Sequence, residues 1–145
     1  MFKHLLVPTD GSAASEAAAR SAAAFAREAG ARITALAVRP LFHPFTLRPE
    51  EVEDTRGDAW DTELHARRYL EVVAAAARDA GVPCETVVVT SDRPWEAIVE
   101  TVRSRGCDLV AMASHGRTGL SSLFLGSQTQ RVLANSPVPV LVFRP

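Results

Sequence analysis

Disulfide chemistry is the first thing this sequence cannot support. It has two cysteines, Cys84 and Cys107, too few and too weakly patterned for a disulfide framework or a metal cluster. A reduced, cytoplasmic setting is therefore the expectation. The histidines at 4, 43, 65 and 115 are scattered, without metal-ligand spacing. No apolar run is long enough to span a membrane. Leu5-Leu6-Val7 is too short for the core of a signal peptide and runs straight into Pro8 and Asp10. Neither sign of charge is in excess. Sixteen Lys and Arg against seventeen Asp and Glu leave a net charge of −1, which gives no footprint for nucleic acid or an acidic lipid surface.

The common nucleotide and hydrolase signatures are missing too. There is no Gly-x-x-x-x-Gly-Lys-Ser/Thr, which excludes a P-loop, and no Gly-x-Gly-x-x-Gly dinucleotide fingerprint. Ser114, two residues before Gly116, has part of the look of a nucleophile elbow. Met112 occupies the place of the first glycine, however, and no histidine follows His115. The order Ser, acid, His cannot be completed.

What the chain does have is alternation of strand and helix. At 145 residues with 47% apolar content, one domain spanning 1–145 can bury its own core. Leu5-Leu6-Val7 reads as a first strand, ended by Pro8. Thr9-Asp10-Gly11-Ser12 is a turn. Ala18, Ala22, Phe25 and Ala29 then fall on one helical face, with Gly30 as the stop. Ile33 to Val38 is a second strand. The segment 40–49 carries three prolines and no period; it is expected to be a loop, either covering a site at the sheet's carboxyl edge or folded onto the surface. A helix from about Asp58 to Ala80 presents Ala66, Leu70, Val73 and Ala77 on one face. Strand three runs from Cys84 to Thr90. Pro94 opens the next helix, Trp95, Ile98 and Val102 form its apolar face, and Gly106 ends it. Strand four is Leu109 to Ala113, and strand five is Val138 to Phe143. Glycines at 30, 81 and 106 each close a helix just before a strand. The pattern predicts an α/β fold: a five-stranded parallel sheet with right-handed crossovers and helices on both faces. Strand one is central, and strands three and five, with Glu85 and Pro139, are edges. The order 3-2-1-4-5 fits these constraints.

That order reverses direction between strands one and four, where open α/β sheets bind their ligands. The residues at those two ends are Pro8-Thr9-Asp10 and Ala113-Ser114-His115-Gly116. Beyond the second group, Gly126-Ser127 starts a helix running to about Asn135. Ser127 and Gln130 have capping-box spacing, so Ser127 is the expected N-cap. Gly116 lets backbone amides approach a ligand, and a helix start presents free N–H groups to an anion. A phosphate chain held between the two is one reading; an ordinary strand-loop-helix connection is the other.

The spacing Ala113-Ser114-His115-Gly116, nine residues, Gly126-Ser127 resembles the phosphate-binding signature of the ATP-binding branch of the universal stress protein family: Gly, two residues, Gly, nine residues, Gly, then Ser or Thr. Ala113 departs from it, standing in place of the first glycine. Leu5-Leu6-Val7-Pro8-Thr9-Asp10-Gly11-Ser12 and Pro137-Val138-Pro139-Val140-Leu141-Val142 extend the resemblance over the whole chain. It implies the same strand order, in a Rossmann-like, adenine nucleotide alpha hydrolase-like domain that binds ATP with Mg²⁺ and acts as a nucleotide-responsive stress-response or signalling module. Asp10 then takes a ribose hydroxyl or a phosphate-bound Mg²⁺, or serves only as a turn or capping residue. Val38 offers its backbone to the adenine edge. Arg117 screens phosphate charge or is a solvated loop residue. His115 is a phosphate neighbour through its backbone. Ser127 and Gln128 offer amides at the helix start. No positioned base for activating water is visible, so the expected rate of ATP hydrolysis is slow at most. The alternative reading, which Ala113 favours, is a dimeric interaction module that has lost nucleotide binding.

The last strand carries a further expectation. Val138 to Phe143 is apolar throughout and lies at a sheet edge, which invites pairing with a second copy. Pro139 has no N–H, so its position is expected to face away from strand four, turning the backbone groups of Leu141 and Phe143 outward as well. An antiparallel pair about a two-fold axis then makes a homodimer, as the family resemblance also implies.

Overall fold

Strand β1 (His4–Thr9) is flanked on both sides and sealed on both faces, as an unbroken apolar run in a parallel sheet requires. The computed structural model describes residues 1–41, 62–116 and 125–144. After β1 come α1 (Ala13–Ala29), β2 (Arg32–Arg39), α2 (Thr62–Asp79), β3 (Cys84–Thr90), α3 (Pro94–Arg105), β4 (Leu109–Ala113), α4 (Ser127–Asn135) and β5 (Val140–Phe143). All four strand pairs are parallel, in the order β3-β2-β1-β4-β5, so the predicted topology and both predicted edges hold. Residues 42–49 of the predicted 40–49 loop and the expected start of the second helix at Asp58 lie outside the described residues.

The helix boundaries follow local chemistry. Ser12 caps α1, its hydroxyl accepting from the Ser15 N–H at 3.1 Å. Gly30 ends it in the left-handed conformation, φ 67°, which costs a residue without Cβ little. Pro94 lies in the first turn of α3, where a missing N–H leaves nothing unpaired.

The two faces of the sheet are packed differently. Helices α1 and α2 cover one face through Ala19, Ala22, Ala23, Ala26, Ala66 and Ala77, against a floor that includes Ala35, Ala37 and Ala111 beside Leu5, Val7 and Ile33. Helices α3 and α4 cover the other with Ile98, Val102 and Val132, on Leu6, Leu36, Val110 and Met112. The first face is paved with alanine, which lets helix and sheet approach closely. The second is built from larger side chains.

Three expectations are corrected. The N-cap of α4 is Gly126, not Ser127, and no side chain caps it. Gln130 makes no capping box; its amide donates instead to the Leu125 carbonyl at 2.8 Å. Strand β5 begins at Val140 rather than Val138. Its backbone parity is also the reverse of that expected. The Val110 N–H donates to the Pro139 carbonyl and the Ser114 N–H to the Phe143 carbonyl, both at 3.0 Å. Odd-numbered residues of β5 therefore face β4, and Val140 and Val142 turn their backbone groups outward. Pro139 sits just before the strand, where its missing N–H interrupts no ladder bond.

Candidate functional site

Since every strand is parallel, every described helix starts at the carboxyl edge of the sheet. Between β1 and β4 that edge opens into a crevice of about 330 Å³, within the range of small-molecule sites. One end of it is made of backbone turns, and the other is an apolar slot.

The turn after β1 is fixed by its own side chains. One carboxylate oxygen of Asp10 accepts from the Ser12 N–H at 2.9 Å, the short-range bond that makes aspartate a turn residue. Thr9 Oγ1 accepts from the Gly11 N–H at 3.2 Å and lies 3.1 Å from Ser15 Oγ. Gly11 takes φ 77°. Asp10 is thus the turn residue and Ser12 the helix cap, and the second Asp10 oxygen lies against the α-carbon of Gly116. A side chain at Gly116 would overlap it, so glycine is needed there for close approach.

The connection from β4 to α4 is held at both ends. Ser114 is buried; its carbonyl accepts from the Gly126 N–H at 2.7 Å, and its hydroxyl lies 3.2 Å from His115 Nδ1. Gly126 is buried as well, with its α-carbon face against the backbone of His115. The first intrahelical bond of α4 runs from the Gln130 N–H to the Gly126 carbonyl. The amides of Ser127, Gln128 and Thr129 precede it, at the positive end of the helix. Thr129 Oγ1 donates to the Ala113 carbonyl at 3.0 Å, and the Gln128 side chain accepts from the Trp95 N–H at 3.0 Å, tying α4 to β4 and α3.

The apolar slot is formed by Leu36, Val38, Pro94, Ile98 and Met112. The register explains what Val38 presents there. The Arg32 N–H donates to the Lys3 carbonyl and the Ile33 N–H to the Pro83 carbonyl, so even-numbered residues of β2 face β1. Pairing with β1 ends at Thr9–Ala37. The Val38 carbonyl is therefore aimed past the end of β1. The Gly11 amide, which would have continued the ladder, donates to Thr9 Oγ1 instead.

Ten of the twelve expected residues line this one crevice: Pro8, Thr9, Asp10, Val38, Ala113, His115, Gly116, Gly126, Ser127 and Gln128. Ser114 lies behind the wall, and Arg117 is outside the described residues. Ser15, Leu36, Pro94, Ile98, Met112 and Thr129 also line the crevice and escaped the sequence reading. Leu36, Pro94, Ile98 and Met112 read as core or helix-start residues; Leu36, Met112, Ser15 and Thr129 lie within three residues of Val38, Ala113, Ser12 and Ser127, the one hint the sequence offered. A larger groove of about 890 Å³ runs between the carboxyl halves of α1 and α2. Alanines and exposed charges line it and no helix start points into it, so volume alone does not mark the site.

The displaced titrations sit at the opposite end of the sheet. His4 is buried, with Nε2 2.6 Å from Thr34 Oγ1, and burial, aided by the Arg32 charge, lowers its pKa. Burial pushes the Cys107 thiol up to about 11 and raises that of Cys84.

Comparison with known proteins agrees with this geometry. The universal stress protein family model matches residues 1–144. A universal stress protein of Thermus aquaticus is 37% identical over 147 residues, covering 99% of this chain and all of that one. The universal stress protein MJ0577 of Methanocaldococcus jannaschii is 29% identical over 158 residues, covering 99% of this chain and 96% of that one. The solved structure of MJ0577 superposes with a TM-score of 0.77 at 28% identity, over 100% of this chain and 97% of that one. A universal stress protein solved in complex with cAMP shares the fold, with a TM-score of 0.73 at 22% identity over 99% and 97% of the two chains.

Proposed function

Because the chain belongs to the universal stress protein family, we propose that it is a cytoplasmic, ATP-binding member, a single domain that works as a nucleotide-responsive dimeric module. One observation carries the reading: the uncapped start of α4 and the close-packed Gly116 and Gly126 frame the same crevice as Asp10. An uncapped helix start is a ready anion site. The phosphates would lie across the amides of Ser127, Gln128 and Thr129, with the Gly116 backbone on the other side. The base would enter the slot between Val38, Ile98 and Met112, where the Val38 carbonyl accepts from the exocyclic amine of adenine.

The residues present fit Mg²⁺ in one particular way. Among the described residues no cluster of three His, Cys, Asp or Glu exists that could cage a metal. Among the described residues lining the crevice, Asp10 is the one that brings a carboxylate to the phosphate end, the pattern of a cation held by one carboxylate, water and the nucleotide's own phosphates. The ion supplies charge neutralisation when bound; the chain's part is to hold the Asp10 carboxylate in place through the Ser12 amide.

Ala113 does not count against binding. Its carbonyl is fixed by Thr129, and strand alternation puts its methyl on the α1 side with Ala111. With one Asp10 oxygen engaged in its own turn, the reading is a binder whose hydrolysis is slow at most. In this reading the dimer forms through β5, by way of the outward backbone groups of Val140 and Val142, which the pairing to β4 leaves unused. The complex of a neighbour with cAMP supports an adenine ligand. It also makes cyclic and linear nucleotides the necessary comparison.

The test is thermal unfolding with millimolar MgATP, AMP or cAMP, together with mass spectrometry of nucleotide released on denaturation. A ligand at a hundred times its dissociation constant adds about 2.7 kcal/mol, or roughly 5–10 °C. No shift with any of the three, and no copurified nucleotide, leaves the dimeric interaction module as the surviving reading.

A further inference from the structure

Helix α2 touches the crevice without lining it. Its first turn is fastened to the end of β2: Arg39 Nε donates to Thr62 Oγ1 at 2.9 Å, and Arg39 Nη1 lies 3.8 Å from Glu63. Arg39 is the residue after Val38. Two turns further along α2, the ring of Tyr69 lies directly on the α-carbon of Gly11; a methyl group there would overlap three of its ring carbons. His65, one turn earlier, stacks on that ring with centroids 6.4 Å apart. The same helix is therefore in contact with the nucleobase end and the phosphate end of the site.

Gly11 is the residue between the Asp10 carboxylate and the Ser12 amide that orients it. At φ 77° it has no side chain to hold it and is free on both sides of the φ map. The hydrogen bonds from Gly11 and Ser12 to residues 9 and 10 are local, each spanning two residues. What packs on this short link from outside is the Tyr69 ring. We infer that Tyr69 is a positioning residue: by pressing on Gly11 it keeps the Asp10 carboxylate in the orientation that a magnesium-bearing polyphosphate requires. The inference rests on the nucleotide-binding reading above and deepens it. Tyr69 does not touch the ligand, and it affects only the part of the nucleotide that Asp10 meets.

A ring that packs on the link acts by preorganisation, so its loss should lower affinity where the carboxylate is used and nowhere else. The experiment is titration calorimetry of the wild type, Tyr69→Ala, Tyr69→Leu and Tyr69→Phe with two probes, MgATP and magnesium-free AMP, after each variant is shown to melt cooperatively. Tyr69→Phe keeps the ring and should bind both probes like the wild type. Tyr69→Ala should lose on the order of tenfold for MgATP and less than about twofold for AMP. Tyr69→Leu, which fills the space without a flat face, should show the same selectivity and serves if the alanine variant does not fold. Equal losses for both probes would show a structural role alone and overturn the inference, as would unchanged binding of MgATP. A loss in Tyr69→Phe would assign the effect to the hydroxyl and overturn it too. A wild type that takes neither probe overturns the binding reading itself, a result no Tyr69 variant can mimic.

Discussion

Replacing Gly126 tests whether the start of α4 is placed by backbone contact. A Cβ at this position would stand 3.2 Å from His115 Cα and 3.4 Å from the Ser114 carbonyl oxygen. Normal carbon contacts lie at about 3.5–4.0 Å, and both neighbours are backbone, so the helix start must move by a few tenths of an ångström for alanine and more for valine. Overpacking of this kind costs about 1–3 kcal/mol. For a chain of this size that is a melting temperature lower by about 2–4 °C in Gly126→Ala and 6–12 °C in Gly126→Val. Binding should fall as well. Each charge-assisted bond misaligned at the helix start is worth about 1.5–3 kcal/mol, so one lost bond weakens MgATP binding about 10- to 150-fold. Ser127→Val is the control. Its hydroxyl caps nothing, so the melting temperature should hold while the amides stay in place. Differential scanning fluorimetry without ligand and calorimetry with MgATP separate the two effects. A Gly126→Val protein with wild-type melting and wild-type affinity would refute the placement of the helix start.

Asp10→Ala should weaken MgATP binding by about 1–3 kcal/mol, one charge-assisted interaction, measured by calorimetry; wild-type affinity would remove Asp10 from the site. His4 makes stability depend on pH. Its folded pKa lies below the ordinary 6.5, so just below pH 6.5 the unfolded chain binds more protons than the folded one. Stability therefore rises with pH through that window and is lost on acidification. Melting temperatures between pH 8 and 5 should fall more steeply for the wild type than for His4→Gln; parallel curves would contradict this. At the sheet edge, Val142→Pro removes an outward amide and should yield a folded monomer at micromolar concentration in sedimentation equilibrium. Leu141→Pro removes an amide turned toward β4 and should instead destabilise the fold. A dimeric Val142→Pro protein would exclude edge pairing through β5.

Much of the fold was legible because its punctuation is local. Gly30 and Gly106 end helices in the left-handed conformation, and Pro94 opens one. Glu85 and Pro139 betray the edge strands. The site was legible through Gly116 and Gly126, whose spacing survives as close backbone approach. The apolar slot was not. Leu36 and Met112 are hydrophobic residues in strands buried on both faces, where no polar alternation tells which face a residue takes, and Ile98 reads only as part of the apolar face of its helix. The parity of β5 failed for a related reason. Proline's missing N–H was read as an outward-facing position, but Pro139 lies one residue before the strand, where its carbonyl opens the ladder to β4 and its missing N–H interrupts nothing. The cap of α4 failed because a capping box identifies a hydroxyl and an amide at the right spacing. The helix instead begins one residue early, on a glycine whose N–H the Ser114 carbonyl holds in place.

The alanine paving under α1 and α2 has a consequence for how the sequence can drift. A residue that is already a methyl group has almost nothing to lose and much to gain in volume. On that face, then, the damaging substitutions are enlargements: Ala22→Leu or Ala35→Val must push a helix off the sheet. On the α3 and α4 face the damaging substitutions are truncations, Leu36→Ala or Ile98→Ala, which leave holes. A saturation scan of the chain should therefore show two opposite profiles of tolerance, one for each side of the same sheet. Neighbouring residues of one strand, such as Ala35 and Leu36, should differ in the direction of change they forbid while being equally buried.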